Sequence, residues 1–162
     1  MSGWVIGIYT SPIRMQPMVP VDSIKVEPGQ GIEGDRYGLL AAKYGKKLGP
    51  QFELTLIEAE AVEAFARDYG VPFTAAESRR NVATRDVALN HLVGREFRIG
   101  EVSLRGIKLC EPCRLLADIT GKDVIRGLRH RGGLRAQVLV QGMIRIGDAV
   151  EVAPAEQNRN SP

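Results

Sequence analysis

Apolar and polar positions alternate with a period of two along several short runs of this chain, the signature of strands with one covered face. "WVIGIYT" (4–10) and "DSIKVE" (22–27) are short β-rich runs parted by proline-bearing turns. "FELTLIE" (52–58) alternates in the same way, and "REFRIGEVSLRGIKL" (95–109) reads as two strands joined at Gly100. "LRAQVLVQG" (134–142) and "DAVEVAP" (148–154) read as closing strands, with the "GD" of "IRIGDAVEV" (144–152) as a hairpin turn.

One segment has the other period. Val62, Phe65, Ala66 and Tyr69 fall at i, i+3, i+4 and i+7, the apolar stripe of a helix. Glu58 and Glu60 sit at its start, Arg67 in its last turn, and Gly70 with Pro72 stops it. The spacing also predicts a helical turn around Leu89–Leu92 within the mixed run 77–94, and one or two short helices over 114–130 broken at Gly121. "PGQGIEGDRYG" (28–38) reads as a loop with tight turns, and "AAKYGKKLGPQ" (41–51) as an exposed basic loop. At least six short strands with few helices and no regular strand–helix alternation predict a mainly β, α+β domain. The expected form is a β-barrel rather than a doubly wound parallel sheet. A single domain over 1–153 with a loose polar tail over 154–162 is the expected organisation.

Composition changes this picture only at the edges. The 162 residues carry a net charge of +3, which suits a small anionic ligand and is too weak a bias to indicate nucleic acid. Aromatic residues make up 6%, too few for a base-stacking platform. No apolar run approaches the roughly 20 residues of a membrane span, and the N-terminus lacks a basic leader. With only two cysteines, the expected setting is a reducing one, the cytoplasm by default.

Those cysteines stand together in "IKLCEPCRLL" (107–116), as Cys110 and Cys113. A thioredoxin-like redox motif would open a helix in an early βαβ unit, whereas a hairpin precedes this pair. A structural zinc site needs four ligands, and the histidines on offer, His91 and His130, are far apart with no clamp spacing. Two small packed side chains remain an open reading. So does a reactive thiolate. Eight basic residues between Arg105 and Arg135 face only Glu111, Asp118 and Asp123, and a positive neighbourhood favours the thiolate that attacks sulfur or binds metal. A helix opening after Cys113 would add to that effect.

Other stretches offer anion-binding chemistry, each with a purely structural alternative. "SRRN" (78–81) sets Arg79 and Arg80 beside Asn81; guanidinium forks match phosphate oxygens, and a carboxamide can pair with a heterocycle edge. "RHRGGLRA" (129–136) puts His130 and Arg131 before Gly132 and Gly133, where a backbone can come close to an anion or merely turn. "GDRYG" (34–38) brings Asp35, Arg36 and Tyr37 into a tight loop.

In order along the chain, "GIEGDRYG" (31–38), "LTLIEAEAVEAF" (54–65), "RRNVATRDVALNHLVGREFRIGEVSLRG" (79–106), "LCEPCRLL" (109–116), "RGGLRAQVL" (131–139) and "IRIGDAV" (144–150) resemble the MOSC domain family, its small stand-alone bacterial type most closely. No single segment is specific; the ordered set is. The resemblance implies a β-barrel of the pyruvate-kinase-insert kind and binding of the molybdenum cofactor, a pterin with a dithiolene, a phosphate and the metal. The family's cysteine matches Cys113, which implies a persulfide sulfur carrier or a molybdenum ligand. Cys110 matches a less general position, as neighbour or resolving thiol. Arg79, Arg80 and Asn81 match the cofactor-contacting part, and Tyr37 departs from the histidine of many members.

On this reading Arg79, Arg80 and Arg131 neutralise the phosphate, while Asn81 and the backbone at Gly132–Gly133 orient the pterin. A sulfur carrier of this size, without a desulfurase domain, implies a cysteine desulfurase partner or a recipient molybdoenzyme. Two other readings compete: a small molybdenum-dependent reductase of N-hydroxylated compounds with a separate electron donor, and a binding module with inert cysteines.

Overall fold

The computed structural model describes residues 2–152; the tail expected over 154–162 lies outside the described residues. Seven strands close a barrel. They are β1 (Ser2–Thr10), β5 (Leu54–Glu58), β6 (Val82–Arg85), β7 (Glu96–Ile99), β8 (Val102–Leu109), β9 (Leu134–Val140) and β11 (Ala149–Val152). Their order around the wall is β11-β7-β8-β9-β5-β6-β1, and β1 pairs with β11 to close the ring. Every neighbouring pair is antiparallel except β5–β6, which is parallel and is bridged by the crossover helix α2 (Ala59–Tyr69). β2 (Val19–Val21) extends β1 outside the ring. A second sheet of β3 (Ser23–Glu27), β4 (Gly31–Ile32) and β10 (Gly142–Arg145) adds Ile24, Val26, Ile32 and Ile144 to the barrel's core. The expected mainly β, barrel-like α+β class is the observed one.

The period-two pattern decides which side chains fill the barrel. Leu54 and Leu56, Phe97 and Ile99, Val102 and Leu104, and Leu134, Ala136 and Val138 all point inward. β1 breaks the alternation at a register shift between Val5 and Gly7, so Val5 and Ile8 both reach the core. Ile57 and Ala83 face outward, into a second apolar cluster with Val62 and Phe65 of α2, Leu116 of α3 (Arg114–Thr120), and Val124 of α4 (Val124–Gly127). The barrel thus has a helix-covered outer wall, and the site opens beside it.

Three expectations need correcting. The loop read over 28–38 and the basic loop over 41–51 contain a helix, α1 (Arg36–Tyr44), ended by Gly45 in the left-handed conformation at φ 60°. Its buried residues are only Gly38 and Ala41, so it carries no apolar stripe to announce it. Second, the "GD" turn is a corner and not a hairpin: β10 pairs with β3, whereas β11 pairs with β1 and β7. Third, the strand read over 134–142 ends at Val140, and Gly142 begins β10 in the other sheet. The expected turn at Leu89–Leu92 is a 3-10 turn, and the two short helices part at Gly121 as expected.

Candidate functional site

Outward side chains of three neighbouring strands start the site: Thr55 of β5, Arg135 of β9, and Asn81 just before β6. Asn81 is buried and knits the wall together. Its Oδ1 accepts the Thr55 hydroxyl at 3.0 Å and the Thr55 N–H at 3.3 Å, while its Nδ2 donates to the Tyr9 carbonyl at 3.1 Å. Helices α1 and α3 rise on either side and enclose a cleft of about 120 Å³. Arg36, Arg79, Arg80 and Arg135 line it, together with both cysteines. Among the described residues no carboxylate does.

Arg80 is the anchor. It is 8% exposed, and its guanidinium finds four backbone carbonyls and no acid. Nε donates to Gly132 at 2.8 Å, Nη1 to Ser78 at 3.2 Å, and Nη2 to Cys110 at 2.8 Å and Glu111 at 3.4 Å. Burial pulls this group below its ordinary value, with Arg135 and Arg36 adding to the effect and the cysteines opposing it. The Arg80 side chain thus staples the cysteine loop to the Gly-Gly turn. The Cys110 N–H donating to the Gly133 carbonyl at 2.7 Å completes the staple.

The loop so held carries two different thiols. Cys110 is 1% exposed, at the cleft floor; Cys113 is exposed, at the N-cap of α3, and both are free. Arg79 sits at the rim at φ 61°, a backbone region that costs a non-glycine residue roughly 1–2 kcal/mol. Its Nη1 donates to the Gln16 carbonyl at 2.6 Å. Partial burial pulls its guanidinium down, with Arg36 repelling it. Beneath lies Asp35, buried, accepting the Ser11 N–H at 2.8 Å and paired with Arg36 Nη1 at 3.4 Å. Burial raises its carboxyl above the usual range despite these partners.

Cys110, Cys113, Arg36, Arg79, Arg80 and Asn81 therefore meet in one cleft, with Asp35 behind Arg36. The remaining candidates point elsewhere. Gly132 and Gly133 are buried behind the cysteine loop: a Cβ at Gly132 would strike the Cys110 carbonyl, and one at Gly133 the Leu56 carbonyl. Arg131 donates to Gly127 O at 2.8 Å and pairs with Asp68 at 3.3 Å. The His130 N–H and ring Nδ1 both engage the Glu111 carboxylate, at 2.9 Å and 3.3 Å. Arg135, Thr55 and Phe52 line the cleft without having been singled out. Arg135 was counted among the basic residues, but only the β5–β9 register (Thr55 opposite Arg135) reveals its place.

The barrel thus carries a cleft lined by four arginines and two free thiols, one of them exposed to solvent. Comparison with known proteins places the fold in a family. The MOSC domain family model matches residues 43–151, and the chain belongs to that family, whose members bind molybdenum cofactor. Among solved structures, the YUAD protein from Bacillus subtilis superposes with a TM-score of 0.78 at 18% identity, over 94% of this chain and 96% of its own. YiiM from Escherichia coli superposes with a TM-score of 0.71 at 21% identity, over 95% of this chain and 70% of its own. These two share the fold. No curated protein sequence matches the chain.

Proposed function

We propose that the cleft binds the molybdenum cofactor and that Cys113 carries sulfur beside it. The observation behind this reading is the pairing of an exposed thiol with four guanidinium groups on a wall without a carboxylate. The donor set fits the group. Arg36, Arg79 and Arg135 point into the cleft and can take the phosphate; Arg80 has one N–H left after its four carbonyls and adds mostly field. Thr55 and the remaining Asn81 amide hydrogen offer polar contacts to a pterin edge. Among the described residues that line the cleft, Cys113 offers the one exposed soft ligand. When bound, the cofactor would supply a molybdenum centre for two-electron chemistry.

The sulfur step belongs to the chain itself. The Cys113 thiolate attacks the terminal sulfur of a persulfide on a donor protein such as a cysteine desulfurase. A new S–S bond forms on Cys113, the donor's S–S bond breaks, and the donor's inner sulfur leaves as a thiolate. No net oxidation occurs. Arginines around the cleft favour the anionic persulfide that results.

The test incubates the reduced chain with a cysteine desulfurase and cysteine, then reads intact mass. Wild type and Cys110→Ala should gain one sulfur and Cys113→Ala none. Absence of sulfur on every form overturns the carrier reading. Turnover of an N-hydroxylated base with an electron donor by that same unsulfurated protein would select a reductase. In a molybdate-fed host, Arg135→Glu should lower the pterin fluorescence and molybdenum that co-purify with the chain.

A further inference from the structure

Beside the thiol cleft lies a larger hollow of about 540 Å³. That is inside the range of about 300–1,000 Å³ typical of small-molecule sites. The two share Arg36, Tyr37, Arg79 and Leu115 as a common border.

The helix that walls the hollow is oriented backwards for packing. α1 buries Gly38, against β4, and Ala41, and leaves Tyr37, Leu39 and Leu40 in solvent, Leu40 at 52% exposure. Tyr37 and Leu40, three apart, line the hollow with Arg36 and Lys43 in an i, i+1, i+4, i+7 row. Pro12, Met15 and Leu115 of α3 add to the apolar lining. Apolar side chains gathered at a concave surface, rather than scattered, mark a binding site.

The charges around this apolar floor have one sign. Arg14, Arg36, Lys43 and Arg79 line the hollow, and among the described residues no Asp or Glu does. Among the described residues neither Arg14, Lys43 nor Arg79 has a salt-bridge partner; Asp35, below the surface, is paired with Arg36. The backbone here is also strained. Met15 and Arg79, at φ 73° and 61°, are two of the four described non-glycine residues at positive φ. The Arg79 side chain donates to the carbonyl of Gln16, the residue after Met15. Such strain collects where a ligand is held.

We infer that this hollow is a second ligand site, built for a small organic acid: an aromatic or branched hydrocarbon body on Tyr37, Leu40 and Met15, and a carboxylate on the Arg36–Arg79 border. The inference goes beyond sulfur carriage and needs neither Cys113 nor a bound cofactor; because it draws on Arg36 and Arg79, the acid and the cofactor's phosphate would compete there. It places the acid's head group next to the thiol cleft.

Calorimetric titration of the cofactor-free chain with 2-naphthoate tests it, with 2-naphthamide and inorganic phosphate as controls. Naphthoate should bind at least about tenfold more tightly than either control, since the site needs both the ring and the charge. Leu40→Glu sets a carboxylate on the floor at an exposed position, where folding tolerates it. It should weaken naphthoate at least about tenfold, as like charges oppose each other in a confined site. Cys113→Ala should bind naphthoate like wild type. Naphthoate binding no better than the amide, or undiminished in Leu40→Glu, overturns the site. Neither result bears on whether Cys113 takes up sulfur, so the two proposals fail separately.

Discussion

Cys110 and Cys113 are two residues apart and meet solvent very differently, because Arg80 pulls the carbonyls of Cys110 and Glu111 inward and leaves Cys113 at the start of α3. Native alkylation with iodoacetamide should therefore modify Cys113 alone, with Cys110 reacting only after denaturation; equal labelling of both would contradict the placement. Two adjacent arginines divide in the same manner. Arg80→Ala leaves four carbonyls short of a donor and should cost at least about 2 kcal/mol in urea denaturation. Arg79 spends stability on its left-handed backbone, so Arg79→Gly should be more stable than Arg79→Ala by about 1 kcal/mol. If the two Arg79 variants unfold together, the strain is not there. In the sequence Arg79 and Arg80 look alike. Which guanidinium is buried depends on carbonyls up to 52 residues away, which no local pattern encodes.

At the scale of elements, what was legible followed from periodicity. The stripe Val62, Phe65, Ala66 and Tyr69 lies in α2, and the alternating runs are strands. Elements without a clean period were missed. β6 buries Val82, Ala83 and Thr84 in succession because it is covered by the barrel core on one side and α2 on the other, so nothing alternates. α1 was missed because its packed face is glycine and alanine and its large apolar residues face out. The Gly-Gly turn read as a possible anion cradle is instead a close approach between elements. Gly133, at φ 114°, passes directly over β5, and a methyl group there would overlap the Leu56 carbonyl. Gly133→Ala should accordingly cost at least about 3 kcal/mol, adding steric displacement to backbone strain. Gly121→Ala, at φ 65° with open space around it, should cost only about 1 kcal/mol. Thermal melts of the two variants check the ordering, and similar losses would show that contact with β5 does not matter.

Across the whole molecule, buried carboxylates tie the parts together and set the response to pH. Glu53 is buried; its two oxygens accept the N–H groups of Gly29, in the turn after β3, and of Val138, at 2.9 Å in β9. Burial nonetheless raises its carboxyl above the ordinary value, as it does for Asp35 and Glu58, where Glu60 repels as well. A carboxyl raised in the folded state favours folding while protonated. That contribution is complete below the unfolded value of about 4 and is lost as pH rises through the folded one. Glu63 and Asp68 run oppositely: hydrogen bonds from Arg85, and from Arg67 and Arg131, lower them, so their contribution is lost only as pH falls below about 4. Both are exposed pairs and weigh little. The melting temperature should hold or rise as the pH is lowered from 8 to 5, then fall under accumulating positive charge. Glu53→Gln isolates one group. An amide NH2 in place of one oxygen must face either the Gly29 or the Val138 N–H, so the variant starts less stable by about 1–3 kcal/mol. Having nothing to ionise, it escapes the loss that wild type suffers with rising pH, and the gap between the two should narrow from pH 4 to pH 8. A gap constant across that range would mean that Glu53 titrates alike in the folded and unfolded chains, and that its burial between the β3 turn and β9 carries no pH dependence.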